Sequence, residues 1–212
     1  MVVRSPTLLT LVRAIIDDDV TEASRLLAMS EMLATASAED GATRQAAKEH
    51  YLTEIEHYMY AGDTALHIAA AGYRSEIARL LLSKGADVGA RNRRGAQPLH
   101  YAVDGVPGSR AWNPVAQAET VTCLIMAGAD PNASDKSGVS PLHRAVRTRC
   151  ASAVRALLDG GADVRRTNRR GSTPMQLATR TTGRGGTGSA ESKEQQEEIV
   201  HLLERSLSIG DA

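Results

Sequence analysis

Phenylalanine is absent from this chain, and aromatic residues of all kinds make up only 3% of it. A thick globular core is commonly filled by aromatic rings, so so few of them favour thin layers packed with Leu, Ile, Val and Ala. Cysteine is almost as scarce. Cys123 and Cys150 are too few for a disulfide scaffold, which points to a reducing compartment. No uninterrupted apolar run approaches the length of a membrane span. The apolar stretch at 8–16 is broken by Arg13 and lacks a small-residue cleavage site, so it does not read as a secretory signal. The expectation is a cytoplasmic protein without a membrane anchor. Net charge is also missing, since 25 Lys and Arg balance 25 Asp and Glu. That zero conceals a gradient: residues 1–63 sum to −6, 64–180 to +9 and 181–212 to −3. Charge distributed this way bears on the choice of partner and not on fold.

What the chain does have is a repeat. Thr64-Ala65-Leu66-His67 returns as Gln97-Pro98-Leu99-His100, Ser140-Pro141-Leu142-His143 and Thr173-Pro174-Met175-Gln176. The preceding glycines, Gly62, Gly95, Gly138 and Gly171, are spaced by 33, 43 and 33 residues. A period in this range implies a stack of similar supersecondary units rather than one closed core. Thr64, Ser140 and Thr173 read as the N-cap of a short helix, with Pro at its first position in three of the four copies. A second helix carries Leu80-Leu81-Leu82, Cys123-Leu124-Ile125 or Ala156-Leu157-Leu158. It ends on Gly85-Ala86-Asp87, Gly128-Ala129-Asp130 or Gly161-Ala162-Asp163, where glycine suits a left-handed stop.

This pattern resembles the ankyrin repeat. The resemblance implies an all-α solenoid of helix pairs with short β-hairpin-like fingers: about four repeats, plus a divergent N-terminal capping helix pair. It divides a single domain, 1–212, into a cap (1–61), repeats at 62–94, 95–137, 138–170 and 171–206, and a tail at 207–212. It also implies a non-enzymatic protein-binding module whose concave face meets the partner. Three departures from the pattern stand out. Within the long connection at 29–61, Ala47, Tyr51, Ile55, Tyr58 and Met59 fall at helical spacing, which predicts an extra amphipathic helix over about 42–59. The second unit carries ten additional residues within 104–118, including the single tryptophan, Trp112. The fourth carries a Gly- and Ser-rich insertion at about 181–195, too polar to bury a core and expected to be mobile, followed by an apolar face of Ile199, Val200, Leu202 and Leu203.

Few constellations suggest chemistry. His67, His100 and His143 occur one per repeat, about 10 Å apart in a stack of helices, whereas one metal ion needs its nitrogens about 2 Å away. The resemblance assigns them to hydrogen bonds across the base of each finger. His50, Glu54 and His57 would share one face of the extra helix, which leaves a metal-dependent enzyme as an alternative, though no fourth ligand is apparent. The glycines at 183–188 match a dinucleotide fingerprint by letter but lack the preceding strand. Cys123 reads as a small core residue and Cys150 as an adventitious surface thiol. No cofactor and no catalytic residue is expected.

Arginine carries the functional content. Transferring the family's partner-facing positions selects Tyr60, Asp63, Arg93, Arg94, Asp104, Lys136, Arg147, Arg169, Arg170 and Arg180, with small neutral residues between them. Cations dominate that set. It implies a basic concave face for the acidic surface or an acidic peptide of another protein, on a chain that is monomeric before capture. The alternative is a polyanion, nucleic acid or lipid phosphate, held by the arginine-rich fingers. The arginines lack the interleaved aromatics that single-strand binders use, which makes nucleic acid the weaker choice.

Overall fold

The computed structural model describes residues 6–179 and 190–209. Its helices follow the repeat. The cap is a helix pair, α1 (Leu8–Ile16) and α2 (Val20–Met29). Thr7 and Thr10 close a reciprocal capping box at its start, and Leu11, Ile15 and Leu27 are wholly buried. The four units follow as α3 (Ala65–Ala71) with α4 (Ser75–Ser83), α5 (Pro98–Ala102) with α6 (Pro114–Met126), α7 (Pro141–Thr148) with α8 (Ala151–Asp159), and α9 (Pro174–Ala178) with α10 (Ala190–Ile209). First helices pack on first helices and second on second, giving two thin layers with a continuous core of Leu, Ile, Val and Ala. The closing helix α10 buries Ile199, Leu202 and Leu203, as its pattern predicts.

Each finger grips the one before it. Arg93 N–H donates to the Ala61 carbonyl (2.9 Å), Lys136 N–H to Arg94 (3.0 Å) and Arg169 N–H to Ser137 (3.3 Å). The glycine at the base of each strap is required by geometry. At Gly138 the backbone φ is +71°, and a Cβ there would stand 2.8 Å from the Arg169 amide nitrogen. An Asx side chain sets each finger turn. Asn92 Oδ1 accepts from the Arg94 and Ala96 amides, Asp135 Oδ1 from Ser137 and Val139, and Asn168 Oδ1 from Arg170 and Ser172.

The long N-terminal connection departs from its expected form. No helix occupies 42–59. The segment holds 3₁₀ turns at Glu31–Ala34, Lys48–His50 and Thr53–Ile55 and a small antiparallel hairpin, β1 (Tyr51–Leu52) with β2 (His57–Tyr58). The spacing that suggested a helix is met another way. Tyr51 and Tyr58 pair directly across the hairpin with ring centroids 4.8 Å apart, while Ile55 and Met59 turn inward and are buried. Aromatic and β-branched residues suit such a ribbon, and Glu56 closes its turn in the left-handed region at φ 50°. Before the hairpin, an isolated bridge between Ser37 and Thr64 and the Ala38 N–H bond to Asp63 (2.8 Å) give the first unit the neighbour that a missing finger would have supplied.

In the cap and in units one and three, a single left-handed residue turns the chain between the two helices: Asp18 (φ 57°), Tyr73 (φ 58°) and Arg149 (φ 60°). Unit two replaces that turn with its additional residues. Part of the addition lengthens α6, which Asn113 caps and Pro114 opens, and the remainder forms a loop at 104–113. The Gly-rich stretch at 183–188 and residues 181–189 of the insertion expected at about 181–195 lie outside the described residues, whereas its last part, 190–195, expected to be mobile, instead forms the start of α10.

Candidate functional site: a cavity beside an arginine cleft

The repeat histidines form identical ties. His67, His100 and His143 are completely buried. Nδ1 of each faces the N-cap amide of its own helix: Thr64 at 3.1 Å, Gln97 at 3.2 Å and Ser140 at 3.4 Å. An amide can only donate, so Nδ1 accepts and Nε2 carries the proton. That Nε2–H donates to a carbonyl in the next unit: Ala96 (3.1 Å), Val139 (3.0 Å) and Ser172 (3.0 Å). Burial pushes all three pKa values down, His100 to about 4. These histidines are therefore neutral cross-repeat struts.

The residue after each histidine position is where the units differ: Ile68, Tyr101, Arg144 and Leu177. Tyr101 is buried, and its hydroxyl donates to Asp63 Oδ2 (2.9 Å) while accepting from Asn92 Nδ2 (2.8 Å). Asn92 also donates to Asp63 Oδ1 (2.9 Å), and the Tyr60 amide donates to Asp63 Oδ2 (2.6 Å). Asp63 was expected to face a partner. It is instead 1% exposed, and these donors occupy both its oxygens.

Arg144 stands in the same column one unit on, with its side chain only 12% exposed. Nη1 donates to Asp104 Oδ2 (2.9 Å) and to the His100 carbonyl (3.2 Å), and Nη2 lies 3.6 Å from Asp135 Oδ2. Its Nε is buried with no hydrogen-bond partner among the described residues. On the other side, His57 Nε2 approaches the same Asp104 oxygen (3.4 Å), its ring resting 4.4 Å from Tyr101. Burial pushes the Asp104 carboxyl up, but the Arg144 and His57 charges and hydrogen bonds outweigh it and hold the group at about 2. Asp104 was expected to face a partner; its carboxylate is instead held by Arg144 and His57, with the side chain 24% exposed at the cavity above it.

Above this network lies a cavity of about 240 Å³. The hairpin supplies His57, Tyr58 and, just past it, Tyr60; the unit-two loop supplies Val106, Ala111 and Trp112; Tyr73 and Tyr101 close the back. Gly105 admits the close approach, since a Cβ there would fall 2.7 Å from Tyr73 Oη and 2.9 Å from Trp112 Cδ1. The Tyr73 hydroxyl donates to the Asp104 carbonyl, and Trp112 Nε1 donates to Gln117 Oε1 (3.2 Å). Cys150 packs behind this wall. It is wholly buried rather than a surface thiol, because the turn at Arg149 folds it under the loop, and burial pushes its pKa up to about 11. Cys123 is a buried residue of α6, as expected.

Arg94, Arg144 and Arg147 line the cavity and also a second, adjoining cleft of about 360 Å³. That cleft adds Arg149 and Arg170, and Asp135 is the one acid among the described residues that line it. The guanidinium groups of Arg94 and Arg93 lie 4.9 and 5.7 Å from the Tyr60 ring centroid, stacking distances that orient them. Arg93 also donates to the Ala42 carbonyl, so it serves the hairpin's base as well as the face. Lys136 and Arg169 are exposed on neighbouring fingers, and Arg180 lies outside the described residues. His50 and Glu54 do not share a helical face with His57, because the helix they would need is absent. Among the described residues no three His, Cys, Asp or Glu side chains gather as a metal site.

The sequence reading missed Arg144. A cation in a column otherwise held by Ile, Tyr and Leu was its signal, since burying an arginine there requires carboxylates from adjoining units.

No helix among the described residues is long and apolar enough to cross a membrane. No curated protein matches the chain. Three family models do: ankyrin repeats (3 copies) over residues 32–109, ankyrin repeat over 94–136, and ankyrin repeats (many copies) over 124–178. Their combined span, the histidine struts and the finger-to-finger straps describe the same object, and the chain belongs to the ankyrin-repeat family.

Proposed function

We propose that this chain is a non-enzymatic binding module that captures an acidic segment of another protein on its concave face. Ankyrin repeats are generally protein–protein interaction modules. The observation that carries the acidic partner is the cleft lined by Arg94, Arg144, Arg147, Arg149 and Arg170, with Asp135 the one carboxylate among the described residues that line it. Guanidinium groups suit carboxylates because two parallel N–H donors match two oxygens. Arg144 is buried against Asp104 and Asp135, so the partner's charge falls to the exposed cations of the fingers, Arg93, Arg94, Lys136, Arg169 and Arg170. Partners of this kind associate quickly at low salt, because a one-signed cleft steers them.

The test is affinity capture from the native cell with the unaltered chain and with Arg94→Glu/Arg170→Glu. These two residues are exposed, so helical content measured by circular dichroism stays intact. Loss of an acidic partner from the variant supports the assignment. Retained capture overturns it, as does equally tight binding of any duplex or anionic vesicle with a steep salt dependence.

A further inference from the structure

The cavity beside the cleft calls for a different chemistry from the cleft itself. It is bounded by the rings of Tyr58, Tyr60, Tyr73, Tyr101 and Trp112, in a chain that contains only six Tyr and Trp residues altogether. Five of six rings gathered on one cavity, from four separate parts of the chain, is a concentration that the repeat by itself does not require. None of the hairpin and loop residues among them belongs to the repeated pattern. Its volume, about 240 Å³, lies below the range of roughly 300–1,000 Å³ usual for sites that enclose a free small molecule. It suits one large side chain.

The charges around the cavity select which side chain. Rings with a carboxylate nearby are the usual setting for a cation. Here, however, the Asp104 carboxylate is already taken by Arg144 at 2.9 Å and His57 at 3.4 Å. Beyond that Arg144–Asp104 pair, Arg94 and Arg147 also line the cavity, so an entering cation meets two further guanidinium groups. An entering anion meets Glu56 and a wall of rings that cannot replace its hydration. An uncharged side chain avoids both penalties and gains aromatic contact area. Arg94 and Arg147 border both compartments, so the partner's carboxylates belong immediately next to that side chain.

We infer that the cavity receives one uncharged aromatic or large aliphatic side chain from the partner, flanked by the acidic residues that the cleft holds. This rests on the acidic-segment assignment above and adds to it an anchor at a fixed place in the segment. Apolar anchors in desolvated pockets bordered by charge are the usual arrangement of binding hot spots.

The experiment is selection of a displayed library of random nonapeptides on the unaltered chain and on two variants. Ala111→Leu, at a partly exposed loop position, puts bulk into the cavity, and Arg94→Glu/Arg170→Glu reverses the cleft. The expected peptides carry Asp or Glu together with one aromatic or large aliphatic residue at a constant offset. Their affinity falls at least tenfold on Ala111→Leu, which still enriches acidic peptides, and acidic enrichment disappears on the arginine variant. Trp112 is the single tryptophan and forms the cavity wall, so its emission in the unaltered chain changes when a selected peptide binds. Acidic peptides without a fixed apolar position, or with Trp112 emission unmoved, overturn the anchor and leave the acidic segment standing. A fixed Lys or Arg overturns it in favour of a cation cage. Peptides without acidic enrichment, or no enriched peptide at all, overturn both.

Discussion

Replacing His100 with glutamine tests how the units are tied, and the fourth unit supplies the template. There Gln176 holds the histidine position, and its Oε1 accepts from the Thr173 amide at 3.0 Å, the bond that Nδ1 makes elsewhere. Glutamine does not titrate. His100 is fully buried between an amide that donates to Nδ1 and a carbonyl that accepts from Nε2–H. A second proton on Nδ1 would therefore face an N–H and a buried charge would face desolvation, which is why its pKa falls from 6.5 to about 4. That gap is worth about 3 kcal/mol at roughly 1.4 kcal/mol per unit. Because the folded pKa lies below the unfolded one, the unfolded chain binds more protons between them. The contribution is complete above 6.5 and is lost as pH falls toward 4. By the same relation about 2 kcal/mol has gone at about pH 5.

His100→Gln keeps the cap bond but weakens the reach to the Val139 carbonyl, at a cost of about 1 kcal/mol at neutral pH. The two stabilities should then cross between about pH 6 and pH 5, with the variant the more stable on the acid side. Urea unfolding followed by circular dichroism at a series of pH values measures this directly. His67 and His143 are shifted in the same direction in both proteins, so only the difference between the curves is diagnostic. Parallel curves, with the variant weaker at every pH, would refute the assignment of His100 as a neutral strut.

Two further outcomes follow from named contacts. Arg144→Met leaves Asp104 and Asp135 facing each other's side of a vacated site; with side chains 24% and 11% exposed, this should cost about 2–4 kcal/mol by urea unfolding, and adding Asp104→Leu should recover part of it. Gly138→Ala and Gly161→Ala both place a side chain at positive φ, but only the former drives a Cβ to 2.8 Å from a backbone nitrogen; Gly161 has nothing within 4 Å. The expected losses are about 2–4 and about 1 kcal/mol, and equal losses would show that the finger strap is not tight.

The regular part of the molecule was legible because its determinants are local. An N-cap Thr or Ser, a Pro at the first turn and a Gly after the second helix act within a few residues, and their recurrence removed ambiguity. The segment at 42–59 failed for the opposite reason. Tyr51, Ile55, Tyr58 and Met59 satisfy the spacing of a helix and equally that of a short hairpin with a tight turn, and contacts with the first two units decide between them. Cys150 was misplaced because its burial comes from the unit-two loop, far away in the chain. Of the residues expected to face a partner, Arg93, Arg94, Lys136, Arg147, Arg169 and Arg170 are exposed, while Asp63 and Asp104 turn out to be held by Tyr101, Asn92 and Arg144. Short-range pattern cannot foresee a hydrogen bond that spans 38 or 40 residues.

The departures from regularity also explain why this array has a cavity at all. Two thin layers of short helices present a shallow face, and a single left-handed residue at Tyr73 or Arg149 turns the chain without adding height. At unit two the chain spends ten more residues and raises a wall carrying Trp112; from the other side the hairpin raises Tyr58 and brings His57 to Asp104. Both walls are fastened to one point, because Asp104 takes His57 and Arg144 through its side chain and the Tyr73 hydroxyl through its backbone. Asp104 therefore couples hairpin, loop and third unit, and the shape of the cavity depends on Arg144 staying in a column that other units fill with Ile, Tyr or Leu. The consensus histidines make the same bonds in every unit and cannot distinguish one partner from another. The one cation in the neighbouring column differs from them in kind, because through Asp104 it ties the hairpin wall to the loop wall.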